Sequence, residues 1–243
     1  MIIKSLFKRD TLNPSTAFRP VVKKIARVAR FLQKTEALGK NWFLSQDTKE
    51  KSFLYPVFDD SGELTTAAEA VLETEFKGEK FRFLSAWNGE LGEGEGATMA
   101  LGFSDSDWPA WSFKISYKGV GAKRLGIDGV KELLSIIAGS LRPVLITVAR
   151  NDYFEKQVFK DRPGVGWMLY LPRVLTVQQV PEARALVPVM ATSEQGKDQQ
   201  IGTIIVSVTD EPFNDENPEH VRIANAIEIR LVDQDLLPRY VDI

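Results

Sequence analysis

The sequence contains no cysteine and a single histidine, His220. The first absence removes disulfides, thiolate nucleophiles and cysteine metal sites together. The second leaves acid–base or metal chemistry at His220 without a partner, and a surface or capping place in the first turn of the last helix is expected for it. No apolar run approaches the roughly 20 residues that span a bilayer. The N-terminal MIIKSLFKRD carries charges inside its short apolar run and lacks a secretory h-region. A cytoplasmic protein that engages no membrane is the expectation. There is no GxxxxGK[ST] loop, and Gly119-Val120-Gly121 and Gly164-Val165-Gly166 lie outside the strand–loop–helix context of a dinucleotide fingerprint. Neither a cofactor nor a metal is expected.

What is present is an ordinary globular chain of 243 residues, 44% hydrophobic and 10% aromatic, able to fill a sizeable core. Its charge is segregated. Residues 1–51 hold 12 basic and 4 acidic groups, whereas 52–110 hold 3 basic and 12 acidic. Residues 111–204 hold 13 basic and 8 acidic, and 205–243 hold 3 and 9, for a net charge of −2. A globally basic footprint for nucleic acid is absent, so direct nucleic-acid binding is not expected. The acidic blocks suit a basic partner, or else neutralise the basic blocks within the fold.

The clearest stretch is 108–149. Trp111, Phe113, Ile115 and Tyr117 alternate with Ser112, Lys114, Ser116 and Lys118, as in a half-buried strand. Asp128 is positioned to cap a helix with Val130, Leu133, Leu134, Ile137 and Leu141 on one stripe, and Pro143 stops it before the apolar strand PVLITVA. Upstream, Ile2–Phe7 reads as a strand. A helix is expected from about Pro20 to Leu38, with Phe18, Val21, Ile25, Val28 and Leu32 inward, a solvated basic face, and Gly39 as its stop. Residues 42–60 suggest an irregular strand pair around a charged turn, and Thr66 a capping box opening a helix to about Phe76. Phe81–Trp87 and Ala97–Phe103 pair with the Trp111 strand as an antiparallel meander. Strands are expected at 167–171, 175–180, 186–191 and 201–208, then a helix capped by Asn217 with Pro218 at its first position and Val221, Ala224, Ile227 and Leu231 inward. The fold class is therefore α+β, a mostly antiparallel sheet with helices packed on it, read as one domain over 1–243 with lobes 1–150 and 151–243 left open.

Asp59, Glu75 and Lys77 imitate the aspartate and ExK spacing of metal-dependent nucleases, but Glu75 and Lys77 fall at the end of the predicted helix rather than on a sheet. Asp105-Ser106-Asp107 lacks the remaining ligands of a calcium loop. What remains is an acidic and aromatic rim of Asp59, Asp60, Glu63, Glu90, Glu93, Glu95, Asp105, Asp107 and Trp108, suited to capture of a basic protein.

The order of WFLSQDTKEKSFLYPVFDD at 42–60, GWMLYLP at 166–172 and DEPFNDENPEHVRIANAIEIRLVDQDLLP at 210–238 resembles the bacterial immunity protein 52 family of polymorphic-toxin and type VI secretion systems. Two stretches depart from the pattern: the glycine- and glutamate-rich 88–107 loop and the polar turn at 192–200. The resemblance implies a cytoplasmic, non-enzymatic α+β protein. Its partner would be a cognate toxin, typically a nuclease of restriction-endonuclease fold, neutralised by direct occlusion. Oligomeric state is left open. The competing readings are a metal-dependent nuclease or other hydrolase using Asp59, Glu75 and Lys77, and a scaffold within a secretion apparatus.

Overall fold

The structure, a computed structural model, describes residues 1–7, 18–79, 81–104, 112–193 and 196–243. The chain divides into two compact units, one made of Phe7–Leu125 and the other of Met1–Leu6 with Gly126–Ile243. Both are α+β, and every strand pairing within them is antiparallel.

The Phe7–Leu125 unit contains α1 (Phe18–Thr35), β2 (Phe43–Leu44), α2 (Lys49–Phe53), α3 (Thr66–Glu75), β3 (Phe81–Trp87), β4 (Ala97–Ser104) and β5 (Ser112–Tyr117), while β1 (Ile2–Leu6) belongs to the other unit. Its strands run β2-β3-β4-β5. Register lines up Leu84, Leu101 and Phe113 in one row and Ala86, Met99 and Ile115 in the next, and all six are buried. The alternation read across 112–117 is thus the core face of a meander; Trp111 lies outside the described residues. In α1, Ile25, Val28 and Leu32 are buried and Lys23, Lys24, Arg27, Arg30 and Lys34 exposed, as the amphipathic pattern requires. The side chains of Phe18 and Val21 lie outside the described set. The helix ends at Thr35, short of the expected Leu38, because Glu36 at φ 49° already turns the chain out of it; Gly39, at φ 92°, closes the turn that follows by donating its N to Glu36 O at 3.1 Å.

Two local expectations shift here. The charged turn within 42–60 is the helix α2, because Thr48 caps it by accepting from Lys51 N at 3.3 Å. The flanking chain does pair irregularly, Leu44 N donating to Tyr55 O and Val57 N to Trp42 O. The cap of α3 is Thr65, whose hydroxyl accepts from Ala68 N at 3.1 Å, one residue earlier than the capping box placed it.

The second unit orders its strands β1-β6-β7-β9-β8, with β6 at Leu145–Ala149, β7 at Met168–Leu171, β8 at Ala185–Thr192 and β9 at Asp198–Val206. The expected strand at 175–180 is instead a turn in which Gln179 Oε1 accepts from Thr176 N at 3.0 Å, while Leu175 and Val180 are buried. Apolar character there serves the core rather than a ladder. Helix α4 (Gly119–Leu141) starts well before Asp128 and kinks at Gly126, where φ is 61° and ψ −177°. The division between the units falls at that residue. Beyond the kink, Val130, Leu133, Leu134, Ile137 and Leu141 form the buried stripe. Helix α5 (Pro218–Asp233) is capped by Asn217 Oδ1, which accepts from Glu219 N at 3.0 Å. Its Ile223, Ile227 and Leu231 pack with Leu145, Leu169, Leu171 and Ile205 in one core cluster. Among the described residues no helix is long and apolar enough to cross a membrane.

Candidate protein-interaction surface

The acidic residues read from the sequence fall into two groups in the Phe7–Leu125 unit, and Asp105, Asp107 and Trp108 lie outside the described residues. The first group is the turn at 59–63. Asp59 Oδ1 accepts from Ser61 Oγ at 2.6 Å, Ser61 N at 2.9 Å and Glu63 N at 3.0 Å. These bonds, the Ser61 hydroxyl first, hold its carboxyl below the usual range. Gly62, at φ 78°, lies against α1: a Cβ there would come within 2.5 Å of Arg30 Cγ and 2.8 Å of Ala26 O. Gln33 Nε2 donates to Asp59 O at 2.9 Å. The turn therefore rests against α1 at Ala26, Arg30 and Gln33. Asp60 and Glu63 are exposed.

This geometry also bears on the nuclease reading. Asp59 is committed to its own turn, and Glu75 ends α3 with Gln46 Nε2 at 3.4 Å. Among the described residues no group of three or more His, Asp or Glu is arranged to hold a metal ion.

The second group is the loop between β3 and β4, and it is built around a buried residue that the sequence did not flag. Asn88 Nδ2 donates to Leu38 O and Glu95 O, both at 2.9 Å, while its Oδ1 accepts from Ala97 N at 3.0 Å and Glu90 N at 3.4 Å. Glycines let the chain make the bends: Gly89 and Gly94 both sit at φ 75°. Glu95 pairs with Arg124 at 2.9 Å. Glu90 and Glu93 are exposed, and among the described residues neither is paired. The glycine-rich sequence thus makes a pinned loop that presents two free carboxylates.

Beside that loop an aromatic patch interrupts an outward sheet face that elsewhere carries Ser85, Thr98, Lys114 and Ser116. Phe43, Phe53 and Trp87 form a cluster, with ring centroids 5.0 Å apart for Phe43–Phe53, 5.5 Å for Phe53–Trp87 and 6.5 Å for Phe43–Trp87. A Cβ on Gly89 would meet Phe43 at 2.7 Å, so the acidic loop leaves the strand directly over these rings. Phe53 is 43% exposed, Leu54 67%, Leu91 64% and Phe83 62%. The side chain that α2 buries is Ser52, whose Oγ accepts from Gln46 N at 2.9 Å and donates to Thr48 O at 3.1 Å. Helix α2 is inverted, with its hydroxyl inside and its phenyl and leucyl groups outside.

The other unit spends its polar groups inside. Glu228 is buried on α5 and accepts from Tyr153 Oη at 2.5 Å, Val158 N at 2.9 Å and Val165 N at 3.0 Å. Burial raises its carboxyl above the ordinary range and raises the Tyr153 hydroxyl as well. Asp215 is buried with Arg150 Nε 2.7 Å away. His220 is buried, not at the surface: its Nδ1 accepts from Asn214 N at 3.0 Å, its Nε2 faces Glu211 at 3.2 Å, and its ring lies 5.8 Å from that of Phe213. A cleft lined by Arg150, Tyr153, Gln157, Gly164 and Tyr240 opens here. Its wall is already engaged, Gln157 Nε2 bonding the carbonyls of Phe159 and Arg162.

Comparison with known proteins finds one family: residues 16–239 match the profile described as immunity protein 52. No curated protein matches the sequence. Among solved structures, the Pseudomonas aeruginosa T6SS protein PA0821 is similar at a TM-score of 0.53 and 12% identity, over 93% of this chain and 75% of that one. At that identity the likeness concerns the fold.

Proposed function

Because the chain belongs to the immunity protein 52 family, we propose that it binds a cognate antibacterial toxin, a nuclease effector, and neutralises it by direct occlusion. The family match over residues 16–239 carries this reading. The pinned loop with Glu90 and Glu93 exposed supports it, since fixed carboxylates attract a protein whose substrate is itself an anion. Asp59, Asp60, Glu63, Glu95, Asp105, Asp107 and Trp108 complete the proposed rim. The protein acts in the cytoplasm, as a stoichiometric binder and not as an enzyme.

The test is co-expression with the toxin encoded beside this chain. Cells producing both grow, the two proteins co-purify as a stable complex, and the toxin's nuclease activity is lost in the purified complex. Charge reversal at Glu90 and Glu93 slows association and weakens its dependence on salt. A purified chain that cleaves nucleic acid with added divalent metal, and stops doing so as Asp59→Ala, would return the protein to the hydrolase class.

A further inference from the structure

Resting on that reading, we propose that the aromatic cluster of Phe43, Phe53 and Trp87, with Leu54 and Leu91 beside it, is the apolar anchor of the toxin interface and takes an apolar side chain from the middle of a basic toxin surface. Three observations carry this. First, α2 is inverted: its serine is buried and bonded while Phe53 and Leu54 face solvent. Phe53 keeps 43% of its surface in water despite its ring contacts and Leu54 67%, and such exposed apolar groups side by side mark a contact surface.

Second, β3 repeats the inversion. Its inward residues are Leu84 and Ala86, while on its outward face Phe83 and Trp87 flank Ser85, whose hydroxyl is taken up by that of Ser45 at 3.0 Å, and Phe83 lies over Gly102 of the neighbouring strand, where a Cβ would meet its ring at 3.0 Å. An antiparallel sheet that ends at water places polar residues on that face. Third, the charge beside the rings is one-sided. On α2 Lys51 is met by Asp47 at 3.4 Å and Lys49 is offset by the neighbouring Glu50, and Glu95 is met by Arg124, which leaves Glu90 and Glu93 on the loop that passes over Phe43. Aromatic anchors beside unpaired carboxylates fit an apolar knob flanked by lysine or arginine, whose cations also favour the ring faces.

The experiment uses the full chain and the active-site-inactivated toxin encoded beside it, with affinity read by calorimetry. Leu54→Asp combined with Leu91→Asp weakens binding about 30-fold or more, the size of a hot-spot loss, without lowering the melting temperature, since both side chains are largely in water. Phe53→Ala weakens binding and Phe53→Trp retains it. Unchanged affinity in the double variant beside a wild-type complex overturns the anchor and leaves the immunity reading standing. No wild-type complex removes the immunity reading and the anchor together. A wild-type homodimer that Leu54→Asp with Leu91→Asp splits into monomers assigns the face to a second copy of this chain and overturns the proposal.

Discussion

The two units treat polarity in opposite ways. In the unit of Met1–Leu6 and Gly126–Ile243, a carboxylate, a histidine and an aspartate are taken inside and each is met there, Glu228 by three donors, His220 by Asn214, and Asp215 by Arg150. In the unit of Phe7–Leu125, aromatic side chains are put outside and a serine is put in. The first pattern holds a loop to a helix and serves stability, because a buried charge is tolerated only with its partners in place. The second costs solubility and is useful only when something else covers it. On the proposed reading, stability and recognition fall to different parts of the sequence.

Substitutions can break that assignment. The largest effect is expected at Glu228→Ala, which strands the amides of Val158 and Val165 and leaves Tyr153 Oη with Asn225 Oδ1 at 3.0 Å as its acceptor. A loss of about 3 kcal/mol in urea denaturation is expected. The toxin affinity of the molecules that remain folded should be unchanged. Asn88→Ala comes next and straddles the comparison: four bonds end at this side chain. About 2 kcal/mol of stability is lost. Hydrogen exchange at Glu90 and Ala97 should accelerate, and toxin binding should weaken with it. Ser52→Ala removes two bonds inside α2 and costs about 1 kcal/mol, seen as a small fall in melting temperature.

Two pH effects are the smallest. The carboxyl of Glu228 titrates above its ordinary value of 4.5 because burial disfavours its charge. The folded state therefore holds this proton more tightly than the unfolded state, and stability falls as pH rises from about 4.5 through the folded value. Glu228→Gln has no such slope, so the gap between variant and wild type depends on pH in that window. Glu182 shows the reverse, its carboxyl lowered chiefly by the hydrogen bond from Arg230, whose Nη2 lies 2.7 Å away. Its contribution is present above 4.5 and is lost as pH falls through the folded value, a slope missing from Glu182→Gln.

Elements whose signal is local were legible in the sequence. The cap at Asn217 with Pro218 behind it and the alternation across Ser112–Tyr117 each rest on residues within a few positions of one another, and each is where it was expected. The expectation failed where both sides of an element are apolar or where the pattern is reversed. FRFLSAW presents Phe83 and Trp87 on one parity and Leu84 and Ala86 on the other, and only tertiary packing decides that Leu84 and Ala86 go in. KEKSF looks like a turn because its buried residue is a serine. Glu228 and His220 lie four residues either side of Ala224, on the buried stripe of α5, but as polar residue types they do not read as core, and their burial depends on Tyr153 and Asn214, which are distant or unremarkable in sequence. The Glu90–Glu95 cluster was visible as charge, but the Asn88 hub that fixes it was not, since its partners are backbone atoms.

That hub has an evolutionary corollary. The atoms Asn88 grips belong to the main chain of Leu38, Glu90, Glu95 and Ala97, so the framework does not depend on which side chains stand at 90, 91 and 93. On the proposed reading, replacements at those three positions change what the surface recognises without touching that framework. A lineage carrying this chain can follow a drifting adversary one residue at a time, and a duplicate gene can diverge toward a different adversary without passing through an unfolded intermediate.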